Sequence, residues 1–545
     1  MVRRNALALI GCFLALSPAR SQEAKVDLLP ADRSISSAID HYVAVVLREA
    51  KVTPAPVADD AALLRRVMLD LIGRIPTIGE MDEYLAATDA DKKTKLVDRL
   101  IGSSAFVRHQ AQEFSTLLQA ADAGRKAKSG LIRDYLNGAI AENRGWDQIF
   151  REVLLPDDSD PKQAGASEFM KSRVKELDRL TIDVSIVFFG VNVSCAQCHD
   201  HPHVQAWTQD HFYGLKSFLA RSVDSGGFVG EKEFGSVKYI PNKGKEKVAP
   251  VMFLTGKTLD VPGMKEPTGP EKKKEQERLN QGKNAKKSPA PPAFSLRAKL
   301  VETALEADQR MFFSRAIVNR LYHRLIGYGL VMPLDQMHLE NPASHPELLQ
   351  WLGRDLEEHQ YDLRRLIRGI VLSDVYARGS RFEGEKMPED KMFAVGQVRP
   401  LTPMQMAASL KVATMNPSIL PIDGEAARKR LDEVAKGAER LAVYFAQPTT
   451  NFQVGVHEAM LFANNETLTK ELFDGPDSLV ARLKAETDLA KRAELAVRSV
   501  LSRQARPEET QAIVGYLLRR GDRDEAACQQ VVWSLLTSAE FRFNH

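Results

Sequence analysis

Leu63-Leu-Arg-Arg-Val-Met-Leu-Asp-Leu-Ile-Gly-Arg-Ile-Pro76 sets the character of the fold. Leu63, Leu64, Val67, Met68, Leu71 and Ile72 recur every three or four residues, which places them along one face of an α-helix. Gly73 and then Pro76 end it. The same period returns along most of the chain. It is carried by Leu96, Val97, Leu100 and Ile101; by Phe114, Leu117 and Leu118; and by Leu131, Ile132, Tyr135, Leu136 and Ile140. Further on, Phe313, Ile317, Leu321, Tyr322 and Leu325 form a strong amphipathic stripe that stops at Gly327. Ser344-His-Pro-Glu347 and Thr402-Pro-Met-Gln405 each read as a capping box that starts a helix. Near the end, Ala493, Val497, Val500 and Leu501, then Ile513, Tyr516 and Leu517, then Val531, Val532, Leu535 and Leu536 continue the pattern. Strand signals are confined to residues 229–240 and 248–254.

The expected fold is therefore mainly α: two helical domains, over 22–222 and 294–545, with a small irregular β insertion over 223–264. A charged linker over 265–293, Lys- and Glu-rich and followed by Pro289, Pro291 and Pro292, reads as solvated and disordered. The chain has 545 residues, 44% of them hydrophobic and 27% charged, which is ordinary globular composition. A net charge of +3 excludes a nucleic-acid partner as the default reading. No Gly-rich phosphate loop, nucleophile elbow or H-E-x-x-H occurs, so the sequence leaves open whether the protein is an enzyme.

The polar run Cys195-Ala-Gln-Cys-His-Asp-His-Pro-His203 carries the chemistry. C-x-x-C-H is the pattern by which haem is tied to protein: two thiols facing one porphyrin edge, and the next residue placing an imidazole under the iron. On that reading Cys195 and Cys198 hold haem c and His199 is the axial ligand. His201 is too close in the chain to reach the opposite face, which leaves His211, Met252 or Met264 as distal candidates, or an open site. The ligand types also suit zinc or iron without porphyrin, drawn from Cys195, Cys198, His199, His201 and His203, with His345 or Asp210 as a remote contributor. A redox dithiol, with residues 186–189 as a leading strand, is a third reading. A Cys/His segment without cofactor is the fourth. Asp200 is placed to hydrogen-bond a ring nitrogen of a ligated histidine, and Trp207 to pack over the segment. Arg320 is expected to cap carbonyls or pair with a carboxylate.

The N-terminus sets the address. Met1-Val-Arg-Arg4 is basic, Ala6 to Leu16 is apolar, and Ala19-Arg-Ser21 fits a cleavage site, so residues 1–21 read as a signal peptide. The apolar run continues past Cys12, which favours cleavage near Ser21 over a lipid anchor at Cys12. No later stretch is apolar enough to span a bilayer, so the mature chain is expected to be extracytoplasmic (periplasmic or secreted). That is where bacterial haem attachment takes place. Three cysteines then remain, too few for a disulfide framework, and Cys528 reads as a buried small apolar residue.

An ordered series of stretches carries a family resemblance. Asp70-Leu-Ile-Gly-Arg-Ile-Pro-Thr77, residues 95–100, residues 190–202, Trp207-Thr-Gln209 and Tyr213-Gly214 resemble the cytochrome-like domain of unknown function, PSCyt type, that is abundant in planctomycetes. Val318-Asn-Arg320, Gly327-Tyr-Gly-Leu330, residues 341–349, Leu366-Ile-Arg368 and Ser538-Ala-Glu-Phe-Arg-Phe-Asn544 resemble its usual C-terminal partner, PSD type. The resemblance implies a cytochrome-like site at the C-x-x-C-H. His203 stands where that family commonly has an aromatic residue, and His211 precedes the aromatic pair Phe212-Tyr213. A redox or electron-transfer role with an unknown redox or protein partner is the functional expectation. The rival is a non-catalytic binding or structural protein with a zinc or iron site.

Overall fold

The computed structural model describes residues 28–119, 129–201, 204, 207–242, 244–262, 267–285, 287–415, 425–448 and 466–545. The signal-peptide residues, Cys12, His203 and Met264 lie outside them.

The fold is mainly α, as the periodicity predicts. The first half contains α1 (Ile35–Glu49), α2 (Asp60–Ile72), α3 (Ile78–Ala86), α4 (Lys92–Ile101), α5 (Ser104–Gln119) and α6 (Ser129–Ala141). It continues with α7 (Trp146–Leu154), α8 (Glu168–Lys171), α9 (Leu177–Phe189), α10 (Cys195–Cys198) and α11 (Gln209–Leu219). Helix α2 stops where the sequence says it should. Gly73 takes the left-handed conformation (φ 75°) and its N–H closes onto the Leu69 carbonyl, a terminus that glycine adopts without steric cost.

Three two-stranded antiparallel ribbons make up the irregular insertion: β1 (Ser222–Asp224) with β2 (Val229–Glu231), β3 (Lys238–Tyr239) with β4 (Lys247–Val248), and β5 (Val251–Met252) with β6 (Thr258–Leu259). The charged stretch that follows corrects an expectation of disorder, because Gly269–Asn284 form helix α12. Lys, Glu, Gln and Arg are good helix formers, and a Thr268–Glu271 capping box starts the run. Leu279 is buried, and its carbonyl accepts from Ser225 Oγ at 3.0 Å, so the helix is tied to the β1–β2 ribbon.

The second half contains α13 (Leu296–Leu305), α14 (Met311–Ile326), α15 (Pro346–Glu358), α16 (Leu363–Leu372) and α17 (Asp374–Ala377). After β7 (Arg399–Pro400) come α18 (Pro403–Thr414), α19 (Glu425–Ala442), α20 (Glu466–Phe473), α21 (Leu479–Ala485), α22 (Leu489–Leu501), α23 (Pro507–Arg519), α24 (Asp524–Leu536), α25 (Ala539–Arg542) and β8 (Phe543–Asn544). The Thr402–Gln405 capping box forms, and Gly327 ends α14 at φ 100°. The box expected at Ser344 does not. His345 is the residue before α15 and makes no side-chain cap, while Ser344 Oγ donates to the Leu330 carbonyl instead. Leu131 also departs from its predicted stripe: it is 45% exposed, although Ile132, Tyr135 and Leu136 beside it are buried.

Among the described residues two large apolar cores form, with a small third cluster of Val237, Tyr239 and Ala249 in the β insertion. The larger draws on both sides of the charged helix, from Ile35 to Val395. Trp146 stacks on Phe313 (6.4 Å between ring centres) and Phe150 meets the same ring at 4.8 Å, contacts worth about 0.5–1.5 kcal/mol each beyond their buried area. The smaller core joins residues 401–541 and takes in Leu69 and Ile75 from the region of α2. Cys528 is fully buried within it, as expected. Strand β8 returns to pair with β7, which brings Asn544 beside α2.

Candidate functional site

The C-x-x-C-H segment is held by the second half of the chain. Helix α9 ends at Gly190 in the left-handed conformation (φ 65°), where a Cβ would sit 3.3 Å from the Ala316 side chain. Beyond it the backbone is clamped. Asn192 N–H donates to the Asp335 carbonyl at 2.7 Å, and Met337 N–H donates to the Gly190 carbonyl at 3.0 Å. Asn192 Nδ2 adds a bond to the Asp335 carboxylate at 3.2 Å. Arg320 caps a carbonyl, as its position suggests: its guanidinium donates to the Ile186 carbonyl at 2.6 Å, in the last turn of α9. Burial pushes that guanidinium down to about 10, against the pull of Asp335.

Helix α10 is one turn long, so Cys195 and Cys198, three residues apart, fall on the same side of it. Both are free thiols; Cys195 is half-buried and Cys198 exposed. His199 follows in extended backbone and is exposed. Its Nδ1 lies 2.7 Å from the Asp200 carbonyl. A carbonyl only accepts, so Nδ1 carries the proton and Nε2 keeps its lone pair, the tautomer a metal-binding imidazole needs. Asp200 thus meets a histidine ring nitrogen through its backbone rather than its side chain. Its backbone oxygen holds the ring, while its carboxylate accepts from Gln209 N–H at 3.1 Å, at the start of α11. A carboxylate is favoured there by the exposed N–H groups of the first helical turn.

His201, His211 and His345 each have partners of their own. His201 is buried, and its Nδ1 accepts from Val204 N–H at 3.1 Å. Its ring meets Trp207 edge-on at 5.6 Å and His338 at 6.0 Å. Trp207 is buried against His201, His211 and His338 and so forms the wall of the segment. His211 Nδ1 accepts from Thr208 N–H at 3.2 Å, closing the cap of its own helix, and burial lowers its pKa. Met252 is buried against Gly214 of α11. Asp210 is engaged by Tyr239 Oη at 2.5 Å and Lys247 Nζ at 2.8 Å. His345 is buried against Phe393, and burial pushes it down to about 4. Among the described residues, no three His, Cys, Asp or Glu side chains converge on a point that could hold a metal ion. His338 is the member of this surround that sequence reasoning missed. A lone histidine in a loop gives no periodic or spacing signal, and only the clamp through Asp335 and Met337 brings it here.

Two thiols on one turn, followed by an imidazole with Nε2 available, are the groups that would hold covalent haem. Comparison with known families returns two matches in order. The first is PSCyt2, described as a protein of unknown function (DUF1549), over residues 38–224. The second is PSD1, likewise a protein of unknown function (DUF1553), over residues 296–447. No curated protein and no solved structure matches the chain.

Proposed function

We propose that this chain, a PSCyt2 domain followed by a PSD1 domain, is an extracytoplasmic redox protein that carries c-type haem on Cys195 and Cys198. The observation that supports the reading best is the His199 ring. Its Nδ1 is committed to the Asp200 carbonyl and its Nε2 is left free, directly after two cysteines outside any disulfide. Haem held there would supply one-electron transfer or, with an open sixth position, chemistry on small ligands. Cys195 and Cys198 would anchor it by thioether bonds and His199 would ligate the iron. His201 and Trp207, both buried, would keep water from the inner side of the segment. The Asp335–Met337 clamp and Arg320 would fix the segment's position, so the PSD1 domain serves the site as a brace. Among the described residues no helix is long and apolar enough to cross a membrane, and export through residues 1–21 belongs to the same proposal.

The test is a pyridine haemochrome spectrum of the full chain, exported from a host with cytochrome c maturation and extracted with acid acetone. A retained c-type band that disappears in Cys195→Ala and Cys198→Ala is the expected result. Folded, full-length protein without the band would overturn the reading, and metal analysis of the same sample would then look for zinc or iron.

A further inference from the structure

We propose that a second site, a cavity between the two domains walled by Asp70, His109, Glu113, His323, Arg324 and Asn544, binds a neutral hydroxyl-rich ligand the size of a monosaccharide. The cavity measures about 420 Å³ and opens between α2 and α5 on one side and α14 and β7 on the other, with β8 closing the end. It is separate from the Cys195 segment and the proposal stands without haem.

Asp70 is the fixed post of this cavity. Its oxygens accept from Arg399 at 3.0 and 2.8 Å, from Tyr376 Oη at 2.7 Å and from Asn544 Nδ2 at 2.9 Å. These bonds leave Asp70 with no capacity for a ligand. They also set the Asn544 amide so that its Oδ1 is the free end. That oxygen is buried and has no hydrogen-bond partner, in a residue only 2% exposed. Two further groups lining the cavity are uncommitted among the described residues: the Glu113 carboxyl makes no hydrogen bond or ion pair, and the His323 ring makes no hydrogen bond. Arg324 lies over the Phe114 ring at 5.4 Å and donates to Gln110 Oε1. A buried polar group left unmet costs about 1–3 kcal/mol, so Asn544 Oδ1, beside the half-buried and uncommitted Glu113 and His323, calls for a polar occupant.

The chemistry of these groups selects the occupant. A small anion would suit Arg324 but would face the Glu113 carboxyl and the Asn544 carbonyl oxygen. A cation would suit those two but would face Arg324 and Arg399. Hydroxyl groups both donate and accept, so a polyol ring can satisfy Asn544 Oδ1, Glu113, His323 and Arg324 together. Burial favours the neutral forms here too: it raises the Glu113 carboxyl against the pull of Arg324, and pushes His323 down to about 4.

Asp70 lies within the stretch matched by the first family and Gly327 within that matched by the second, and both line the cavity together with Asn544. A seam that only docked two domains would pair its polar groups, as Asp70 and Arg399 are paired. Glu113, His323 and Asn544 Oδ1 are not.

The test is isothermal titration of the full chain with D-glucose, D-galactose, D-mannose and L-fucose, and with D-gluconate as the anionic comparison. Saturable binding of at least one neutral sugar in the millimolar range is expected. It should weaken about tenfold or more, at least 1.4 kcal/mol, in Glu113→Gln and in His323→Gln. Neither side chain holds another residue, so both variants are expected to keep the wild-type circular dichroism. Binding should survive in Cys195→Ala/Cys198→Ala. Titration heat, unlike a melting shift, is not mimicked by the general stabilisation that excluded sugars give any protein. The proposal is overturned by no saturable heat with any neutral sugar, by tighter binding of gluconate than of all four, or by undiminished binding in both variants.

Discussion

The Cys195–His199 turn and the cavity at Asp70 are built in opposite ways. The turn takes its chemical groups from five consecutive residues, and its thiol Cys198 and imidazole His199 are exposed. The cavity takes its groups from residues 70, 109, 113, 323, 324 and 544, and they meet only because α2, α5, α14 and β8 pack together. The first can change without disturbing the core, because backbone clamps at Asn192 and Gly190 hold it. The second is continuous with the structure: Asp70 serves both the cavity wall and the joint between the domains. A surface motif carries its chemistry locally, whereas an assembled cavity carries stability and chemistry in the same residues.

The largest expected effect follows from that difference. Asp70→Ala removes the buried acceptor of Arg399, Tyr376 and Asn544 together and leaves the half-buried Arg399 guanidinium with only the Arg324 carbonyl. Breaking a buried pair in this way costs about 3–5 kcal/mol. The urea midpoint of the apoprotein should fall accordingly, with the cavity losing its shape as well. A loss below about 1 kcal/mol would mean that Asp70 is not the joint, and the contrast between the two regions would fail.

Acid should separate the two regions more gently. His323 is driven down to about 4 by burial, with Arg399 and Arg320 adding to it. His109 is driven down to about 3 by burial and Arg324, against its hydrogen bond to the Asp70 backbone. Unfolded, both rings protonate near 6.5. The unfolded chain therefore binds more protons from about pH 6.5 down to about 4, and stability is lost as pH falls through that window. Glu113 works the other way. Its carboxyl is raised by burial, so its contribution is present below the ordinary value of 4.5 and lost as pH rises through its folded value. Urea midpoints measured across the window should fall with pH in the wild type and fall less in His323→Gln. Parallel curves would show that the His323 ring is not held neutral by the fold.

What could be read in the sequence divides along the same line. The period of α2, its stop at Gly73 and the capping box at Thr402 are local, and all three form as expected. The C-x-x-C-H and the packing of Trp207 were legible for the same reason. Expectations that needed neighbours fared worse. Leu131 belongs to a helical stripe by spacing yet faces water, Ser344 bonds to a distant carbonyl instead of its own helix, and the charged stretch at 269–284 folds because Leu279 finds a buried seat. Glu113 and His323 gave no signal at all, and Asn544 stood out only as the end of a stretch that carries the family resemblance. A single carboxylate or imidazole on an amphipathic helix reads as solvated face, and nothing in one sequence says which of them will end beside Asp70.

The smallest effect expected is on the stability of the apoprotein without its thiols, and it decides what the turn is for. In Cys195→Ala/Cys198→Ala, made in a host that cannot attach haem, neither sulfur was part of a disulfide and Cys198 was already exposed. The segment keeps the Asn192–Asp335 bonds, the Gln197–Asp178 bond at 3.1 Å and the Gln209–Gln197 bond at 3.1 Å. A midpoint change within about 0.5 kcal/mol of wild type is therefore expected. Such a result would leave the cysteines without a structural role in the apoprotein, as haem attachment requires. A loss comparable to that of Asp70→Ala would instead make the thiols structural, as ligands of a metal staple are, because removing such ligands removes folding energy outright. The turn and the cavity would then be built alike, and the haem reading would lose its support.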